Sequence, residues 1–109
     1  MLEPADLKSI LEAFFRSAFV KIEDSRRYIQ AGDLKSFSLV MHAFKGLALS
    51  LHMIRLGELA TAAERVDSFS PEALPTIVDQ MEAELLVIRK SVDAFYQKGL
   101  RTRRLISVK

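Results

Sequence analysis

Apolar residues recur at spacings of three and four along almost the whole chain, which is the signature of amphipathic helices. Over residues 5–31 the stripe comprises Leu7, Ile10, Leu11, Phe14, Phe15, Ala18, Ile22 and Ile29. Its length admits one helix, or a short extra N-terminal helix followed by a longer one. Gly32 then offers a residue that enters the left-handed backbone region without strain, and Asp33 is a natural N-cap. The pattern predicts a second helix over residues 34–52. At about 100° per residue, Phe37, Val40, Phe44, Leu47 and Leu51 share one side. Lys35, Ser38, Leu39, His42, Lys45, Gly46 and Leu49 share the other.

A third helix is predicted over residues 54–67, with Ile54, Leu56, Leu59, Ala60, Ala63 and Val66 facing inward. Residues 67–71 form the clearest break. Ser70 suits an N-cap, Pro71 the first helical turn, and Glu72 the positive end of the helix dipole. Pro75 delays the regular helix by about a turn. The fourth helix shows Leu74, Ile77, Val78, Met81, Leu85, Ile88, Val92 and Phe95. Its end is predicted near Lys98 and Gly99, a basic last turn followed by glycine. No stretch alternates with period two, so no sheet is expected. The predicted fold class is all-α: an antiparallel up-and-down four-helix bundle over residues 1–97, then a tail over residues 98–109.

At 109 residues the chain can close one core but not two. Half of the residues are hydrophobic and 28% are charged, which fits a folded chain rather than a disordered one. The formal net charge of +2 hints at an anionic partner such as nucleic acid. Locating the charges weakens the hint. Residues 98–109 hold Lys98, Arg101, Arg103, Arg104 and Lys109 and no acid, leaving 11 basic and 14 acidic residues, a net −3, over residues 1–97. Five cations without an aromatic platform do not make a nucleic-acid reader, so no nucleic-acid partner is expected.

The chain has no Cys, hence no disulfide, no thiolate metal site and no thiol nucleophile. Two His are too few for a His-rich metal centre, and no metal or cofactor is expected. Gly32, Gly46, Gly57 and Gly99 form no phosphate-cradling glycine loop. No apolar run approaches the roughly 18 residues of a membrane span, so no direct membrane contact is expected. The opening residues, with Glu3 and Asp6, do not read as a secretory signal.

The second face of the second helix carries the chemistry. His42, Lys45 and Gly46 stand at i, i+3 and i+4, and so are surface neighbours. A neutral imidazole has a free nitrogen lone pair near pH 7 and can act as a nucleophile. Lys45 supplies a point charge able to steady a phosphoryl group on that nitrogen. Gly46 removes a side-chain wall, at a mid-helix cost of about 1 kcal/mol relative to Ala. Leu39 and Leu49 flank His42, either as an apolar docking patch or as a widening of the core stripe. A surface His beside a surface Lys is also common in proteins without any such role, and on the residues alone both readings stay open.

The run from His42 through Ala43, Phe44, Lys45 and Gly46 resembles the H-x-x-K-G motif of histidine-containing phosphotransfer (HPt) domains. Ala31, Gly32, Asp33 and Leu34 stand where that family has the turn before its motif helix. The run from Leu56 through Leu59 and Ala60 to Glu64 resembles the family's following L-x-x-L-A-x-x-x-E helix. The likeness spans residues 7–97. It implies that His42 accepts a phosphoryl group from a receiver-domain aspartate and passes it to another receiver. It also implies that Lys45 neutralises phosphate charge, that Gly46, Leu39 and Leu49 admit the receiver, and that Glu64 orients His42. The chain would be a carrier without a kinase ATP site, and Mg²⁺ would sit on the receiver. A monomer in the cytoplasm is expected, either stand-alone or as the C-terminal domain of a membrane-bound hybrid sensor kinase.

Leu47 and Ala48 replace the small hydroxyl residues that often follow the family's glycine, and His52 stands where the family usually has Gly. His52 is a weaker phosphoacceptor candidate, because Arg55 and Leu56 occupy the positions that Lys45 and Gly46 hold relative to His42. The alternative function is an HPt-like interaction module that docks a receiver without phosphotransfer. A dimerising kinase core carries an acid directly after its His, where this chain has Ala43.

Overall fold

A computed structural model describes residues 4–65 and 71–107. Four α-helices, α1 (Pro4–Ala31), α2 (Leu34–Ser50), α3 (Ile54–Arg65) and α4 (Leu74–Ser107), form an all-α bundle, with no strand among the described residues. Each helix packs on its neighbours in chain order, and α4 closes the ring against α1. Arg26 of α1 meets Glu82 and Asp79 of α4, Arg89 lies over the Phe19 ring, and Lys8 lies over the Tyr96 ring. As numbering rises along α1 it falls along α4, so the two are antiparallel.

The turns follow from local chemistry. Gly32 adopts φ 71°, its N–H reaches the Ile29 carbonyl at 3.1 Å, and the Asp33 N–H reaches the Tyr28 carbonyl at 2.9 Å. This left-handed cap satisfies carbonyls that the end of α1 would leave unpaired. Asp33 then caps α2 by accepting the Ser36 N–H at 3.1 Å. Hydrogen bonds from the Ser36 side chain and backbone hold the Asp33 carboxyl below its ordinary range. Because the folded-state value is depressed, this contribution is present above the unfolded pKa and is lost as pH falls through the folded one.

α2 ends on the same device with a costlier residue. His52 sits at φ 59°, its N–H bonded to the Leu49 carbonyl at 3.0 Å, and the Met53 N–H to the Ala48 carbonyl at 2.9 Å. A side chain in this region costs about 1–2 kcal/mol, which Gly avoids. His52→Gly is therefore expected to stabilise the fold by about 1 kcal/mol, read as a higher melting temperature. A lower melting temperature would show that the imidazole itself holds the turn.

The core is built from Phe14, Ala18 and Ile22 of α1, Phe37, Met41 and Phe44 of α2, Leu56, Ala60 and Ala63 of α3, and Leu74, Val78, Met81 and Leu85 of α4. Several expectations need correction. α1 is one continuous helix, so there is no separate N-terminal helix. The buried line of α2 runs through Phe37, Met41, Phe44 and Ala48, while Val40, Leu47 and Leu51 are only partly buried. On α2 apolar residues span a wide arc, from Leu47 and Val40 through Phe44 to Met41, so its pattern fits more than one buried line. α4 opens with a single 3₁₀ turn, Pro71–Ala73, as Pro75 requires. It then runs past Lys98 and Gly99 to Ser107, because one glycine costs only about 1 kcal/mol and good helix formers follow it. Ile54 and Phe95 are exposed rather than inward, as are Leu7 and Ile10. The predicted positions of Val66 and Ser70 lie outside the described residues.

Candidate functional site

α2 presents His42 to solvent, with its side chain 76% exposed. α3 packs on α2 where Gly57 meets Leu49, and Gly57, Ala60 and Ala63 are all buried. Small residues at this spacing let the helices approach closely, and they bring Glu64, one turn beyond Ala60, within reach of His42. Nδ1 of His42 lies 3.0 Å from Oε1 of Glu64. An ionised carboxylate only accepts, so Nδ1 carries the proton and donates. In the neutral ring the lone pair is then on Nε2, at the other side of the imidazole from Glu64.

Lys45 shares the same carboxylate, its Nζ 3.7 Å from Oε2 of Glu64. His42, Lys45 and Glu64 thus form one cluster, drawn from two helices and joined at a single carboxylate. The carboxylate is partly buried, at 20% side-chain exposure, whereas the imidazole projects outward.

Gly46 adjoins this cluster one turn along from His42. A Cβ built on Gly46 would meet nothing within 4 Å. Packing within the chain therefore does not require glycine there. Leu39 is 63% exposed and Leu49 is also exposed, so neither widens the core stripe. Together they place apolar surface on both sides of His42.

Sequence reasoning did not single out Gly57. A Cβ on Gly57 would stand 2.5 Å from Cδ2 and 2.9 Å from Cγ of Leu49. Gly57 thus seats Leu49 against α3. The available signal was the set of small, buried residues Gly57, Ala60 and Ala63 in α3.

His52 lies at the C-terminal turn of α2, ten residues on, about 15 Å along the helix from His42. It is placed by the left-handed cap and has no lysine and glycine at the flanking positions. Among the described residues no three His, Asp or Glu side chains gather as a metal-binding group. No helix among them is long and apolar enough to cross a membrane. Comparison with protein-family models, with curated proteins and with solved structures finds no match to the chain.

Proposed function

We propose that the protein is a phosphorelay carrier, in which His42 accepts a phosphoryl group from a receiver-domain aspartyl phosphate and yields it to the aspartate of another receiver. The observation that carries this reading is the tether of His42 Nδ1 to Glu64, which fixes the tautomer and leaves Nε2 as the outward nucleophile. In the forward step the Nε2 lone pair attacks phosphorus. The N–P bond forms, the P–O bond to the aspartate breaks, and its electron pair leaves on the carboxylate. No proton needs to depart, because Nε2 carried none. The ring becomes positively charged, Nδ1–H still faces Glu64, and the ion pair steadies the phosphohistidine. In the return step a receiver carboxylate attacks phosphorus and the N–P electron pair returns to Nε2.

Lys45 is close enough to turn from Glu64 toward the phosphoryl oxygens. Gly46 leaves room beside His42 for the receiver, and Leu39 and Leu49 offer it apolar contact. The divalent cation that assists the chemistry belongs to the receiver. Exchange with receivers places the protein in the cytoplasm, alone or as the terminal domain of a sensor kinase. The rival reading, a docking module without transfer, shares the apolar patch but assigns nothing to Nε2.

The test is incubation with receiver domains phosphorylated by a small-molecule phosphodonor. Acid-labile label on the carrier supports transfer, whereas receiver binding without label supports the docking module. Lys45→Ala is expected to slow transfer about tenfold, the equivalent of about 1.4 kcal/mol of charge stabilisation, with the helical spectrum unchanged. An unfolded Lys45→Ala protein would make Lys45 structural instead.

A further inference from the structure

A groove runs between α1 and α4, and among the described residues these two helices alone line it. Its floor is aromatic, with Phe15 buried and Phe19 and Tyr96 partly buried. Its two rails are charged. Lys8, Glu12 and Arg16 recur one turn apart along α1, and Arg89 and Asp93 do so along α4, all of them exposed. Lys8 lies over Tyr96 and Arg89 over Phe19, which fixes how the antiparallel helices stand level with one another. Glu12 then stands across the groove from Asp93, and Arg16, one turn on, across from Arg89. The groove thus carries a belt of two acids beside a belt of two guanidinium groups. Glu12 could pair with Arg16 inside α1, and Asp93 with Arg89 inside α4, at i, i+4. Neither pair closes: among the described residues Glu12, Arg16 and Asp93 make no ion pair.

We propose that this charged face pairs with itself: a second copy docks groove to groove, antiparallel, about a two-fold axis that passes between the two belts. Charge complementarity selects both the occupant and its direction. An antiparallel copy lays α1 on α1 and α4 on α4. The two-fold rotation then carries each acidic belt onto the basic belt of the other copy. Glu12 meets Arg16 and Asp93 meets Arg89, each contact occurring twice. A parallel copy would instead lay α1 on α4, setting Glu12 against Asp93 and Arg16 against Arg89, like charge on like. The face is therefore complementary to itself in one arrangement and repels itself in the other.

Two such layers, with the aromatic floors between them, make an intermolecular four-helix bundle. In this register the half-exposed Leu86, one turn before Arg89, meets Tyr96 of the other copy. The end of α4, from residue 99 to Ser107, runs roughly along residues 75–83 of the other copy's α4. By sequence that end is basic, with five cations and no acid over residues 98–109. The stretch it faces holds Asp79 and Glu82, two carboxylates that share the single Arg26. One negative charge is left over there, so the register gives the basic end an acidic neighbour. This assigns a dimer where the sequence reading expected a monomer. His42 stands on α2, off this face, so dimerisation and phosphotransfer stand or fall separately.

Sedimentation velocity from about 5 to about 500 μM at low salt tests this. The wild-type chain is expected to move reversibly from monomer to dimer, and added salt is expected to weaken the dimer, because exposed ion pairs are screened. Glu12→Arg and Arg16→Glu, both at exposed positions, are each expected to weaken self-association at least tenfold while the helical spectrum holds. Mixed in equal amounts, the two variants are expected to form a dimer with each other, because every contact along α1 again joins opposite charges. A wild-type chain of monomer mass at every concentration overturns the proposal and leaves the groove to a different ligand. So does a dimer that both variants leave intact, or a mixture that associates no better than either variant alone.

Discussion

Replacing His42 with Gln is expected to abolish phosphoryl acceptance entirely, while His52→Gln loads like the wild type. Gln is a good helix former, and its amide N–H₂ can still donate to Glu64 from an exposed position. The bundle and the partner-facing surface are therefore kept, and only the nucleophilic lone pair is removed. Loss of label then reports chemistry rather than unfolding, provided that the helical spectrum and melting temperature match the wild type. Label kept by His42→Gln and lost by His52→Gln would move the phosphoacceptor to the end of α2. The Glu64 contact would then serve packing alone.

The second large effect has opposite signs for stability and function. Gly46→Gln is expected to stabilise the bundle by about 1 kcal/mol, because a helical glycine is replaced where a Cβ meets only open space. For a domain of this size that raises the melting temperature by about 4–8 °C. The same change is expected to slow phosphoryl transfer at least tenfold, because the new side chain stands beside His42 where the receiver must approach. A purely structural glycine cannot produce this pair of results. If transfer is unaffected, Gly46 does not serve partner access. If stability falls, the glycine answers a need inside the chain.

Much of this architecture was legible in the residues. Stripes at spacings of three and four located four helices, and Gly32 with Asp33 marked the first turn through the physics of left-handed caps and N-caps. That His52 stands where the resembled family usually has Gly agrees with its left-handed backbone, although the stripe alone ran the helix through residue 52. His42, Lys45 and Gly46 came together from helical spacing alone. Glu64, 22 residues from His42, could not be placed by spacing; only a family resemblance pointed to it.

Other features were hidden for physical reasons. In α2 apolar residues on several sides blurred the core line, so Met41 and Ala48 went unseen as its centre. An apolar stripe looks the same whether or not another helix covers it. Leu7 and Phe95 therefore read as core, although α2 and α3 are too short to reach them. Gly99 resembled a stop signal, but one weak helix former among strong ones does not end a helix.

The central claim is that Nε2 of His42 carries a phosphoryl group between receivers. The most direct measurement is site localisation on the wild-type chain after exposure to a phosphorylated receiver domain, by peptide mass spectrometry at alkaline pH with ³¹P–¹H correlation to distinguish the ring nitrogens. The expected result is one phosphoryl group, on residue 42, bonded to Nε2, and removed when a fresh unphosphorylated receiver is added. Phosphate on Nδ1, on His52, or on neither histidine after exposure to receivers that bind the chain would contradict it.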